Sequence, residues 1–177
     1  MSRPWHCSRP ERRLVHWGAA LVSLVLGVGL PGTARAGAEC SITSVALAFG
    51  VYDPAAPSPD DTATTVTVTC VYVPPSVTSV GYTIALSNGM HGTDAATRQM
   101  ASGSSRLAYN VFNDASRTRV WGMGNAGTVV ATGSMTVGPG VGNGTRTATH
   151  TVYGRVPSLQ DAVPGTYLDS LVLTLVY

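Results

Sequence analysis

Residues 164–177 read Pro164-Gly165-Thr166-Tyr167-Leu168-Asp169-Ser170-Leu171-Val172-Leu173-Thr174-Leu175-Val176-Tyr177. Side chains of an extended backbone alternate between two faces. Leu171, Leu173, Leu175 and Tyr177 therefore share one side, and Val172, Thr174 and Val176 the other. The pattern predicts a strand apolar on both faces, entered through a Pro164-Gly165 turn. Such a strand belongs inside a sheet with a neighbour on each edge, because an open apolar edge templates aggregation. No later segment of this sequence can supply the second neighbour. What covers this strand is the question that organises the reading of the rest.

Residues 1–36 read as an export signal. Arg3, Arg9, Arg12 and Arg13 precede an uncharged, mostly apolar run over residues 17–30, and Ala34-Arg35-Ala36 offers a small-residue cleavage site. The run is shorter than the roughly 20 residues of a membrane-spanning helix. Glu39 before Cys40 argues against a lipidated cysteine. Cleavage after Ala36 leaves residues 37–177 as one domain, large enough for a real core. The leader removes five of the 11 basic residues, all arginine, and one of the nine acids, so the exported part carries six basic and eight acidic groups. Its net charge is then about −2, and no basic patch argues for nucleic acid or anionic lipid.

Cys40 and Cys70 remain after Cys7 leaves with the leader, and an even pair in an exported chain is expected to form a disulfide. Closing that loop of 30 residues stabilises by roughly 3.6 kcal/mol in the chain-entropy treatment. Strands are predicted at residues 42–51, with Val45, Leu47, Phe49 and Val51 on one face, and at 64–73, with Val66, Val68, Cys70 and Tyr72 inward. Pro74-Pro75 ends the second. Further strands are expected at 82–86, 107–112, around Val120-Trp121, at 128–137, at 147–156 and at the terminus. No helical period runs over ten residues, and residues 94–101 hold one turn of helix at most. Seven or eight short strands with Gly- and Pro-rich turns predict an all-β sandwich.

The residue types that carry chemistry are sparse. His91 and His150 stand without a second ligand at metal spacing, and neither a G-x-S-x-G elbow nor a phosphate-loop lysine occurs. Residues 138–144 are Gly-rich but read as a hairpin loop, and Asn143-Gly144-Thr145 matches a glycosylation sequon that is equally a turn. Asp60-Asp61 lacks the further oxygen ligands of a calcium loop. No cofactor, metal or catalytic residue is predicted. Trp121 has two readings: a buried sandwich tryptophan, or, beside Gly122, an exposed platform for stacking sugars.

Several segments in order carry a resemblance: Ala48-Phe49-Gly50-Val51-Tyr52-Asp53 after Cys40, Thr67-Val68-Thr69-Cys70, Tyr82-Thr83-Ile84-Ala85-Leu86-Ser87, Arg98-Gln99-Met100, Leu107-Ala108-Tyr109-Asn110-Val111-Phe112, Trp121-Gly122, Tyr153-Gly154-Arg155-Val156-Pro157 and Gly165-Thr166-Tyr167-Leu168-Asp169-Ser170. Together they resemble the spore coat protein U domain, from Cys40 to Tyr177. The resemblance implies a subunit of an archaic chaperone-usher surface pilus, or a secreted relative, with an immunoglobulin-like sandwich lacking its final strand. It implies as partners a periplasmic chaperone, an outer-membrane usher and other pilus subunits, with a host or surface receptor where the subunit serves adhesion or biofilm formation. A borrowed strand then completes the sheet by donor-strand complementation.

On that reading Leu171, Leu173, Leu175 and Tyr177, with Val45, Leu47 and Phe49 opposite, form the groove. Pilins that also donate a strand carry about ten residues ahead of the first core strand, roughly 33 Å of chain. Gly37-Ala38-Glu39 reach about 10 Å, so an end subunit, at a tip or as a cap, is expected. Two other functions compete: a self-sufficient carbohydrate-binding sandwich, lectin or adhesin, that uses Trp121, and a hydrolase that depends on His150 or His91.

Overall fold

In the computed structural model, residues 37–72, 79–136 and 144–177 are described. The predicted leader, Pro74-Pro75 and residues 138–143 with the Asn143 sequon lie outside them. Nine strands occur in order: β1 (Ala38–Ser44), β2 (Asp60–Tyr72), β3 (Ser79–Leu86), β4 (Gln99–Ser102), β5 (Ser105–Ala108), β6 (Asn110–Phe112), β7 (Ala131–Thr136), β8 (Gly144–Val156) and β9 (Leu173–Val176). Two antiparallel sheets, ordered β1-β2-β8-β6 and β7-β3-β9, enclose the core, and β4-β5 forms a separate hairpin. Among the described residues there is no helix. Residues 94–97 make a turn instead, in which the Asp94 carboxylate accepts from the Ala96 and Thr97 amides.

Period-two patterning explains the long central strands. Val66, Val68, Cys70 and Tyr72 of β2 are buried, as are Tyr82, Ile84 and Leu86 of β3 and Val152 and Val156 of β8. Trp121 is wholly buried among them and donates its Nε1–H to the Ile84 carbonyl at 2.9 Å. This satisfies the one polar atom of the indole inside an apolar core. Cys40 stands opposite Cys70 in the β1–β2 register and is bonded to it.

The first predicted strand differs from the observed one. β1 is over by Ser44, and its inward residues are Ala38, Cys40 and Ile42, at even positions. Beyond it the inward residues are Leu47 and Phe49, at odd positions, while Val45 and Val51 are 64% and 97% exposed. A one-residue change of parity turns a strand's side chains over. Residues 45–52 have therefore left the ladder, keeping one backbone bond to β2, from Val45 N–H to the Thr65 carbonyl. The terminal segment also differs: Val172 and Val176 face solvent, so one of its two apolar faces is uncovered.

His150 on β8 faces inward and meets Tyr82 of the opposite sheet, with 2.8 Å between Nε2 and the phenol oxygen and the rings edge-on. Burial pushes the His150 pKa below 6.5 and the Tyr82 pKa upward. The contact then joins a neutral phenol to a neutral imidazole, with the donor set by the imidazole tautomer. Because the unfolded chain binds a proton more readily than the folded one, this contact stabilises above pH 6.5 and is lost as pH falls toward the lowered folded value.

Two outcomes are expected. Cys40→Ala with Cys70→Ala lowers stability by about 3 kcal/mol in urea unfolding, matched by reducing the parent protein. His150→Gln, which keeps an acceptor but does not titrate, makes unfolding stability fall less steeply with acidification; an unchanged slope would remove His150 from the pH response.

Candidate functional site

An apolar cleft of about 320 Å³ opens along one side of the sandwich, where β1 and β9 approach each other. One wall is the chain from Ser44 to Phe49, the other runs from Tyr167 to Leu173, and Val66, Val111, Val152 and Trp121 form the floor. A second cavity of about 830 Å³ shares Ala46, Leu47, Phe49, Met100, Tyr167 and Leu168 with it and continues toward Tyr52 and Val163. The exposed apolar side chains Val45, Val51, Val163 and Leu168 rim these two cavities. Contiguous apolar surface of this kind marks an interaction site.

Both walls carry unused backbone groups. β9 pairs with β3 on one edge, from Leu86 opposite Leu173 to Thr83 opposite Val176, and among the described residues no strand lies on its other edge. Residues 45–49 are held to β2 by three bonds: Val45 N–H to the Thr65 carbonyl, and the Thr64 and Thr62 hydroxyls to the Val45 and Ala48 carbonyls. A glycine makes this docking possible. A Cβ on Gly154 would fall 2.7 Å from Leu47 Cδ2 and 2.8 Å from Phe49 Cζ, so the bare backbone of β8 admits both side chains.

The wall at residues 167–173 is fixed by polar ties rather than by sheet pairing. Asp169 accepts from the Tyr109 hydroxyl at 2.7 Å and from the Met90 amide at 2.8 Å. Gly89 makes room for it: φ is +86°, and a Cβ there would lie 3.0 Å from Asp169 Cγ. Burial, reinforced by the Asp169 carboxylate, pushes the Tyr109 pKa far up and keeps the phenol a donor. Leu168 exchanges two backbone bonds with Ala101, and Ser87 N–H donates to the Val172 carbonyl.

Behind this wall Arg98 is fully buried. Its guanidinium donates to the Ser87 carbonyl at 2.6 and 3.1 Å, the Trp121 carbonyl at 2.8 Å and Asn110 Oδ1 at 3.0 Å. Desolvation lowers its pKa, with the Tyr109, Asp169 and Asp94 side chains opposing that shift. One side chain therefore ties together the chain at Ser87, the start of β6 and the chain at Trp121, and the planar fork suits that role better than an ammonium.

Of the predicted groove residues, Val45, Leu47, Phe49, Leu171 and Leu173 line this cleft together. Leu175 packs on the core further along β9, and Tyr177 is 54% exposed; neither lines it. Met100, Tyr109, Val111, Tyr167 and Leu168 line it without having been predicted. Their alternation within short segments was readable, but nothing local says which cavity a short strand faces. Trp121 reaches the cleft only as buried floor, so it offers no exposed stacking platform for a sugar.

Arg98→Lys is expected to cost about 2–4 kcal/mol, because one ammonium cannot serve Ser87, Asn110 and Trp121 in their planar arrangement. Faster amide exchange over residues 168–172 accompanies the loss; protection unchanged there would show that the cleft wall does not depend on Arg98.

Comparison with known proteins agrees with this architecture. No curated protein matches the chain. A solved structure of the CsuC-CsuE chaperone-tip adhesion subunit pre-assembly complex, from the archaic chaperone-usher Csu pili of Acinetobacter baumannii, matches with a TM-score of 0.50 and 20% identity. The match covers 79% of this chain and 40% of that one, and at this identity it establishes the fold alone. The family profile described as the Spore Coat Protein U domain matches residues 30–174. With well over half of its length inside that match, the chain belongs to the Spore Coat Protein U domain family.

Proposed function

We propose that this protein is an exported structural subunit of an archaic-type chaperone-usher surface fibre, and that another chain's strand occupies the cleft between residues 45–52 and β9. The observation that carries the reading is an apolar cleft whose two walls both have unpaired backbone. A strand laid there uses these hydrogen-bonding groups and fills alternate pockets, the mode called β-augmentation. Burying four apolar side chains gains roughly 6–12 kcal/mol before ordering costs. A periplasmic chaperone fits as the first lender, followed at an outer-membrane usher by a neighbouring subunit. Family membership and the likeness to a subunit crystallised with its chaperone support this order.

The finer reading is a terminal subunit, at a tip or as a cap, with a role in adhesion or biofilm formation. Pairing in β1 starts at Ala38 opposite Tyr72. If export cleaves after Ala36, the residues before Cys40 are then almost all engaged in the chain's own sheet and are not free to complete a neighbour. Residues 37–177 form the mature domain on this view.

Expressed without a partner, the chain is expected to aggregate, and co-expressed chaperone or an added peptide with alternating apolar residues is expected to keep it soluble and raise its melting temperature. Leu171→Asp, placing a charge in the cleft, abolishes that rescue. A stable monomer indifferent to both additions would instead favour a self-sufficient carbohydrate-binding sandwich.

A further inference from the structure

Two further cavities border the apolar cleft and differ in kind. Beyond Trp121, between β7, β8 and the turn that follows β6, lies a polar one of about 420 Å³ whose lining includes Asn113, Arg119, Thr149 and His150. That turn is closed by the Asp114 carboxylate, which accepts from the Thr118 and Arg119 amides, and the cavity shares only Trp121 with the cleft. The other is the apolar cavity of about 830 Å³, which shares six residues with the cleft, Leu47, Phe49 and Leu168 among them, and is lined by no charged side chain. It is larger than the cleft's own 320 Å³, so whatever enters the cleft meets more apolar space at this end than along its length.

The walls of this end cavity are fixed before anything enters. Tyr52 donates its hydroxyl to the Pro157 carbonyl and accepts from the Gln160 amide, both at 2.9 Å. The Gln160 side chain in turn accepts from the Ala108 amide and donates to the Ala108 and Pro157 carbonyls, which locks the side formed by Tyr52, Leu107 and Val156. On the other side the Tyr167 hydroxyl donates to the Val163 carbonyl at 3.0 Å and closes the turn over residues 163–167. Gly165 lets this turn lie against the β4–β5 hairpin, because a Cβ there would collide with Ser102 Oγ. The rings of Phe49, Tyr52 and Tyr167, the Met100 thioether and two prolines give the cavity flat, polarizable surfaces. Such surfaces favour an aromatic guest over an aliphatic one.

Extended chain beside the wall from Ser44 to Phe49 covers about 20 Å, and the cavity carries the path on to Tyr52, at most about 10 Å further. Resting on the strand reading above, we propose that the incoming strand is about nine residues long and carries a bulky aromatic residue at the end next to Leu168, seated in the 830 Å³ cavity. Its alternating residues fill the cleft as those of many strands could. The aromatic end decides which strand is taken and in which direction it lies. An aromatic anchor in a preformed apolar pocket is the kind of contact that dominates an interface.

The chain alone is expected to aggregate, so the test forms the complex during refolding. The full chain, unfolded in urea with its disulfide intact, is diluted into peptides of about nine residues in which valine alternates with threonine. The peptides carry tryptophan at the first position, tryptophan at the last, or alanine at both, and the concentration giving half-maximal soluble protein is measured. Tryptophan at one end is expected to lower that concentration about tenfold relative to alanine, and tryptophan at the other end to leave it nearly unchanged. The effective end gives the direction of the strand. Val163→Trp fills the cavity from an exposed position on its rim, so it removes the tryptophan advantage and leaves rescue by the alanine peptide intact, which separates lost preference from lost fold. Val51→Trp, on the facing rim, gives the same result. A tryptophan advantage that survives both substitutions, or the same advantage from N-acetyltryptophanamide added beside the alanine peptide, overturns the proposal. Equal rescue by all three peptides overturns it too while the strand reading stands; rescue by none of them overturns the strand reading itself.

Discussion

A strand has hydrogen-bonding groups on two edges, and among the described residues β9 has a partner, β3, on one of them. Its inner residues Leu173 and Leu175, and Leu171 just before it, are only partly buried, although leucines at such positions normally lie in the core. The facing wall has the same deficit, since residues 45–52 have turned over and left the β1–β2 ladder. Backbone groups in folded proteins are nearly always paired, and the partner strand proposed above pairs those of both walls.

The rest of the sandwich compensates for this deficit with ties that need no extra strand. The disulfide holds β1 to β2 next to the point where the chain departs from the sheet. Arg98 and Asp169 hold the segments around β9 through neutral carbonyls, an amide and a phenol. A buried guanidinium is a costly way to join loops, because removing it from water must be offset by well-placed acceptors. Here it bonds Ser87, Asn110 and Trp121 together, which are distant in sequence and adjacent at the end of the cleft. Ties of this kind order the receiving surface in advance, which lowers the cost of docking the strand proposed above.

Trp121 separates two cavities of opposite chemistry, one apolar and open along a strand edge, the other polar and closed by the Asp114-capped turn. Its ring is fully buried and its N–H is satisfied by Ile84, so it acts as a partition rather than as a contact surface. Short β6 and short β9 create the two spaces. Where a strand ends early, its neighbour's edge is left uncovered, and the side chains that happen to face it decide what can bind.

Much of the architecture was legible in the amino-acid order. Alternation marked the buried face of β2 at Val66, Val68, Cys70 and Tyr72, the Cys40–Cys70 pair followed from an even count once the predicted leader is set aside, and the terminal leucines announced a strand. These features are local: a period of two and a residue count need no knowledge of neighbours. The parity change after Ser44, the burial of Trp121 and Arg98, and the meeting of Asn113, Arg119 and His150 at one cavity depend on which edges pair and where pairing stops. Pairing is settled by contacts between residues tens of positions apart, and so only the assembled tertiary structure decided which walls stayed open and what lines them.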